Sequence, residues 1–454
     1  MTVNEQILEL VVSPRIKFKG EGTASIESLN YDGRGVAHVD GKATFIENAV
    51  PGETVEYGIT RQKSTYDNGV AKRVLKRATD REEKPRCEYF GICGGCAIQH
   101  IRSEAQIGYK QQIVLEQMQH IAGALPQAWL PPLVGPYWGY RRKARLGARK
   151  VEKKGSVLVG FREKSSAYIA DMHSCAILDQ RVSKVIPQLR ELIAALTIPN
   201  QIPQIEIAAG DNEVALVFRH LAPMQNSDVD SLRQFGTQHG FQIWLQPEGP
   251  DTIFCITADV APALRYRFDR FPVSIEFAPL DFTQVNAEVN QRMVEQAIEL
   301  LQLTAETTVV DLFCGLGNFS LPMASRAKSV IGVEGNQRLV DGASGNARLN
   351  GIDNAKFVLA DLFDETGPLP WGDTSFDRLL LDPPRSGAIE ILKRLPDPGP
   401  ERIVYVSCYP ATLARDAAYL VNTAGYRLVS MGVMDMFPQT THVETMALFE
   451  KVPG

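Results

Sequence analysis

The chain has 454 residues, 44% of them hydrophobic and 22% charged, with a formal net charge of −5. That length exceeds one compact core, so two or three domains are expected, and the ordinary composition excludes a disordered or fibrous chain. No apolar run approaches the ~20 residues of a membrane-spanning helix, and the stretch 1–20 lacks the apolar centre of a signal peptide, so a cytoplasmic location is expected.

Taken in chain order, residues 16–75 read as short strands at 24–29, 35–39, 43–46 and 54–57. Asp32-Gly33, Asp40-Gly41 and Pro51-Gly52 supply turns between them. Many short strands in so little chain predict a small β-barrel. One strand runs out into a basic stretch, with nine Lys/Arg from Arg61 to Arg86; eight more lie between Arg141 and Lys154. Both run against the acidic total, as a localised phosphate-binding face would. Seven cysteines in a chain read as cytoplasmic argue against a disulfide framework. Cys87, Cys93 and Cys96 form a tight trio, which suggests metal or cluster ligation, while Cys175, Cys255, Cys314 and Cys408 are scattered. A helix is expected over 103–123, burying Ile113, Val114, Met118 and Ile121. Residues 133–271 read as a small α+β domain, with strands at 205–208, 213–218 and 243–245, a helix at 182–196, and Cys255 as a buried apolar side chain.

After Phe277 the pattern becomes a regular strand–helix alternation. Strands are expected at 308–312, 329–333, 356–359, 378–381 and 402–406, which predicts a doubly wound parallel α/β sheet. Ligands of such sheets bind past the carboxyl ends of the strands. The first strand runs into Asp311-Leu312-Phe313-Cys314-Gly315-Leu316-Gly317-Asn318-Phe319. A glycine loop alone fits a dinucleotide equally, but that fingerprint needs a third glycine where Ser320 stands. Glu334, ending the second strand, suits ribose hydroxyls; Asp361, ending the third, suits an adenine amino group. The fourth strand ends in Asp382-Pro383-Pro384-Arg385, the fifth in Ser407-Cys408-Tyr409-Pro410, and His442-Val443-Glu444 follows near the C-terminus. These residues make chemical sense together. A Cys408 thiolate adding to C6 of a uracil makes C5 nucleophilic toward an electrophilic methyl, and Glu444 then removes the C5 proton. Asp382 would orient the ring.

Asp311-x-Phe313-x-Gly315-x-Gly317 resembles motif I of S-adenosylmethionine methyltransferases. With Asp382-Pro383-Pro384-Arg385, Ser407-Cys408 and His442-x-Glu444, the chain resembles the RNA uracil-5-methyltransferases along nearly its whole length. The resemblance implies an S-adenosyl-L-methionine pocket formed by Gln284 (from Phe282-Thr283-Gln284-Val285-Asn286), Phe313, Asn318, Glu334, Asp361 and Asp382. It implies catalysis by Cys408, Glu444 and Asp382. The strand-rich segment looks like a TRAM domain, and Cys87, Cys93, Cys96 and Cys175 resemble the [4Fe-4S] ligands of the branch acting on large-subunit RNA. Zinc is the alternative for four thiolates, but its usual paired C-x₂-C knuckles are absent. The architecture so implied is a TRAM/OB-like β-barrel (14–76), a central α+β domain with the iron–sulfur site (77–275) and a Rossmann-like methyltransferase domain (276–454), with the helix at 103–123 packing on the last. The expected partner is structured 23S ribosomal RNA with uracil(1939) flipped out, with no DNA, membrane or obligate protein partner. Uracil(747), a tRNA, or a non-catalytic RNA-binding role are the alternatives. Two positions depart from the family pattern: Tyr409, where Asn is usual, and Thr441, where Trp is common.

Overall fold

Ala24, Ile26, Ile46, Val55, Ala71 and Val74 alternate with polar neighbours along the N-terminal strands and are buried in one cluster, the period of two that half-buried strands require. In the computed structural model, which describes residues 7–10 and 16–453, these residues line the inside of a sheet. The expected domain start at residue 14, and residues 1–6 and 11–15 of the stretch read for a signal peptide, lie outside the described residues. Gly20–Ser25 pairs with Thr54–Gln62, and its continuation Ser28–Leu29 pairs with Gly35–Val39. Between them, the Ile26 and Glu27 N–H groups donate to Glu53 and Val36 carbonyls, each at 2.8 Å. One bent strand therefore joins the two edges of the sheet, and few backbone groups are left open. The centre of the sheet is Tyr66–Lys76, which pairs with both Lys42–Glu47 and Thr54–Gln62. The sequence reading places no strand here, only part of the first basic stretch, so this strand adds to the expectation.

The first basic stretch is not wholly a surface feature. Arg81 is buried and donates to both carboxylate oxygens of Glu53, at 2.8 and 2.5 Å; a buried guanidinium persists only when so paired. Arg61 and Lys63 do stand exposed at the tip of a hairpin.

The central sheet runs Ser156–Gly160, Lys143–Val151, Gln204–Ala209, Val214–Arg219, Phe241–Gln246 and Phe254–Cys255 in spatial order. All its pairs are antiparallel except Val214–Arg219 with Phe241–Gln246, which the helix Asn226–His239 connects. The helix expected over 182–196 divides into Gln180–Ser183 and Ile186–Ala195, because Val185 leaves helical geometry and Pro187 begins the second helix. Cys255 is not a core residue: it is half-buried on the short edge strand, with its Sγ 3.3 Å from Thr257 Oγ1.

The C-terminal sheet holds β1 (Thr308–Leu312), β2 (Ser329–Glu334), β3 (Ala355–Leu359), β4 (Arg378–Leu381), β5 (Arg402–Ser407), β6 (Tyr426–Met434) and β7 (Glu444–Lys451), in the order β3-β2-β1-β4-β5-β7-β6, with the short strand Ala128–Trp129 added parallel to β6 at the edge. The first five are parallel; β7 is antiparallel to β5 and β6. The order reverses between β1 and β4, and the crevice at that switch point is where a ligand belongs. Ser103–Gln117 is helical and continues as a π-helical turn, Met118–Ala122. That turn changes the phase of the apolar stripe. Ile113, Val114, Met118 and Ala122 are buried, whereas Ile121, expected on the same face, is 45% exposed. Val114, Met118 and Ala122 join the core cluster that includes Met431, Val433 and Leu413, so this helix packs on the C-terminal sheet. Among the described residues, no helix is long and apolar enough to cross a membrane.

Candidate active site

Strand register brings the three candidate reacting groups together. Asp382 follows β4, Cys408 follows β5, and Glu444 opens β7. Ser407 is paired with Thr445 in the antiparallel β5–β7 ladder, so the next position outward sets Cys408 opposite Glu444. The parallel neighbour β4 ends alongside, with Leu381 in register with Tyr405, and Pro383-Pro384 holds the chain extended there. Burial, then the charge of Asp382, pushes the Glu444 carboxyl up to about 8. Burial pushes Asp382 up to about 7. The Cys408 thiol is pushed up to about 11 by burial, then by Glu444 and Asp382, while Arg385 opposes the shift. The three groups thus form one electrostatic unit. Arg385 lies over the Tyr409 ring, 5.6 Å from its centroid, and its Nη2 donates to His442 Nδ1 at 3.2 Å. Burial, then Arg385, holds His442 below the usual imidazole range, which keeps the ring neutral and able to accept that bond.

A second buried charge stands behind Glu444. Lys110, from the helix Ser103–Gln117, donates to Asp435 Oδ1 at 2.7 Å and to the Phe437 carbonyl at 3.1 Å. Its positive charge favours the ionised form of Glu444. In sequence the two partners are hundreds of residues apart, and a helical lysine ordinarily signals a solvated face.

The glycine loop after β1 turns through left-handed backbone at Phe313 (φ 65°), Gly315 (φ 55°) and Gly317 (φ 90°). A side chain at Gly317 would meet Leu321 at 2.9 Å, whereas Gly315 faces open space. Gly315 N–H donates to Glu334 Oε2 at 3.1 Å, and Asn336 N–H to its Oε1 at 3.1 Å. Asp311 is buried; Ser320 Oγ donates to one of its carboxylate oxygens, and the other has no partner among the described residues. Burial lifts Asp311 to about 7. Ser320, the residue that breaks the dinucleotide fingerprint, is therefore the tether of this acid. Phe313 and Phe363 pack at 5.8 Å between centroids, and Asp361 Oδ1 accepts from Phe363 N–H at 2.9 Å. Gln284 is half-buried in the extended segment before the helix Ala287–Leu301. The Asn318 side chain is held by Asn290, through two bonds of 3.0 Å, and by the Tyr266 hydroxyl at 2.9 Å. It thereby ties the loop to the core.

Cys87, Cys93, Cys96 and Cys175 line one cavity, with Phe90, Phe161 and Met172 among its apolar walls. Burial raises the thiols of Cys93, Cys96 (to about 12) and Cys175 (to about 11). Gly95 N–H approaches Cys93 Sγ at 3.4 Å. Among the described residues, no three His, Cys, Asp or Glu side chains are grouped closely enough to hold a single ion.

A residue of the N-terminal sheet, Tyr31, also reaches the site: its ring stands edge-on to Tyr409, 5.6 Å away. No local sequence signal marks it.

A family model described as tRNA (Uracil-5-)-methyltransferase matches residues 140–452, and one described as TRAM domain matches residues 21–71. The 23S rRNA (uracil(1939)-C(5))-methyltransferase RlmD of Legionella pneumophila (strain Paris) is 48% identical over 442 residues, covering 97% of this chain and 99% of its own. The protein of the same name from Nitrosococcus oceani is 50% identical over 430 residues, covering 94% of this chain and 96% of its own. The solved Pyrococcus abyssi tRNA (uracil-54, C5)-methyltransferase in complex with S-adenosyl-L-homocysteine superposes with a TM-score of 0.70 at 24% identity, over 94% of this chain and 100% of that one, a likeness of fold. Since the uracil-5-methyltransferase model covers the central and C-terminal sheets and the relatives extend that match through the TRAM segment, the chain belongs to the uracil-5-methyltransferase family.

Proposed function

We propose that this protein methylates C5 of uracil(1939) in 23S ribosomal RNA, in the cytoplasm, through a covalent bond between Cys408 and C6 of the ring. The observation that carries the chemistry is the strand register that sets Cys408 opposite Glu444 at the switch-point crevice. The site choice rests on relatives 48–50% identical along nearly their whole length.

The pocket suits a cation. Asp311, Asp382 and Glu444 are all pushed up by burial, and a positive ligand beside them would relieve the cost of ionising them. S-adenosylmethionine, when bound, supplies an electrophilic methyl on a positively charged sulfur. Gln284, Phe313, Asn318, Glu334, Asp361 and Asp382 would hold it, with Gly315 leaving room and Glu334 kept in place by two backbone N–H groups. Exposed cations such as Arg61 and Lys63 grip phosphates, and the target uridine is flipped from its stack because C5 and C6 are unreachable within it. Cys408 releases its proton to solvent and adds as the thiolate to C6, the electron pair of the C5–C6 bond moving toward C5. Asp382 hydrogen-bonds the ring edge and fixes its orientation. Once C5 is methylated, Glu444 takes the C5 proton, the C6–S bond breaks, and the thiolate is restored. The products are 5-methyluridine in RNA, S-adenosylhomocysteine and one proton.

Deleting the gene will remove the 5-methyluridine signal at uracil(1939) from a nucleotide-resolution map of total RNA. Loss at uracil(747) or in tRNA instead would refute the site.

The four cysteines support a [4Fe-4S] cluster that cross-links the segment after the barrel to the central domain. The four thiols line one apolar cavity, and four thiolates are the ligand set of a [4Fe-4S] cluster. Anaerobically purified protein will carry about four irons and four sulfides per chain, and Cys96→Ser will lose both; zinc without sulfide would overturn the assignment.

A further inference from the structure

The turn at residues 30–34 of the N-terminal sheet is pressed against the catalytic loops. Asn30 shapes it, its carbonyl accepting from Gly33 N–H and its Oδ1 from Arg34 N–H, both at 2.9 Å. Gly33 has φ +73°, and a Cβ there would stand 2.6 Å from Thr441 Cγ2 and 2.8 Å from Ile98 Cγ2, so only glycine allows this approach. Tyr31, on the same turn, packs edge-on against Tyr409, the residue after Cys408. Tyr409 in turn carries the Arg385 guanidinium on its ring. Thus Tyr409 and Thr441, the two departures from the family pattern, are both among the residues the turn touches. The Tyr31 hydroxyl is buried and has no hydrogen-bond partner among the described residues. It lies close enough to Cys408, Glu444 and Arg385 to feel the charge of each. Buried hydroxyls are ordinarily satisfied, and an orphan at the rim of an acceptor pocket is completed by what the pocket binds.

We infer that Tyr31 is a substrate-binding residue whose hydroxyl hydrogen-bonds an oxygen of the flipped uridine nucleotide beside Cys408, so that the TRAM segment forms one wall of the acceptor pocket. The inference rests on the uracil-methylating reading above and adds a specific contact to it. It also gives the barrel a role beyond holding phosphates, since a nucleotide can be seated only when barrel and catalytic sheet are docked.

The test compares full-length wild type, Tyr31→Phe and Tyr31→Leu in steady-state methylation of a 23S RNA fragment containing the target. Tyr31→Phe will raise the KM for RNA about tenfold, the scale of one lost hydrogen bond to a ligand, with the KM for S-adenosylmethionine and the melting temperature unchanged. Tyr31→Leu, which also removes the ring edge from Tyr409, will lose more and will lower kcat as well. A role confined to packing would leave Tyr31→Phe, which keeps the ring, like wild type; an RNA KM within twofold of wild type therefore overturns the inference. Wild type that neither methylates the fragment nor forms an adduct with its 5-fluorouridine form overturns the functional reading itself, whatever the variants do.

Discussion

Cys408→Ala will methylate RNA at least about 10⁴-fold more slowly than wild type, the scale seen when a covalent nucleophile is removed. The ring carbon that receives the methyl is electron-poor, and only addition at C6 makes it nucleophilic; Cys408 is the thiol that the strand register sets opposite Glu444. The side chain is half-buried, and alanine deletes a single sulfur atom, so the melting temperature and S-adenosylmethionine affinity will hold. Trapping separates this loss from misfolding. With 5-fluorouridine RNA the fluorine on C5 cannot leave as a proton does, so wild type will stall as a covalent complex stable on a denaturing gel. Cys408→Ala will show no such band while binding the RNA as tightly. A band in the variant would end the covalent mechanism. Absence of both band and methylation in wild type would favour a non-catalytic RNA-binding protein.

The catalytic half of the molecule was legible because its signals are local. Each parallel strand is a short apolar run with a candidate site residue at or just past its carboxyl end, and Glu444 opens the antiparallel strand beside them. The expected β1 to β5 accordingly fall within a residue of those observed. Asp382, Cys408 and Glu444 could be named because one reaction needs all three, and the sheet register then set them side by side. What escaped depends on distant partners. Arg81 reads as surface charge until Glu53 folds onto it. Tyr66–Lys76 reads only as part of a basic stretch, because its strand character comes from the two neighbouring strands it pairs with. Ile121 keeps helical spacing with Ile113 and Val114, but a π-helical turn rotates it outward. Lys110 and Tyr31 carry no motif; their place at the site comes from docking of whole segments.

Glu444→Gln will still form the bond to C6 and accept the methyl, but it will release product about 10³-fold more slowly, the usual worth of a positioned base. Ordinary uridine RNA, with no fluorine, will then accumulate as a methylated covalent complex detectable by intact mass. The pH dependence gives a second reading. Burial and Asp382 raise Glu444 to about 8, so its basic form is scarce at low pH and fills as pH rises through that value. Breakdown of a preformed wild-type adduct will therefore quicken about tenfold per unit between roughly pH 6 and 7 and level off above about 8, whereas the Gln variant will be flat. Stability moves the other way. A carboxyl whose folded pKa exceeds its unfolded value binds its proton more tightly when folded, so its contribution is full below the unfolded pKa, near 4.5, and is lost as pH rises through about 8. Gln, which mimics the protonated acid, does not ionise, so the melting temperature of Glu444→Gln relative to wild type will climb across that window. A variant that turns over freely and leaves no complex would assign the C5 proton to another base. Asp382, already pushed up to about 7 beside the same thiol, would then be the group to test.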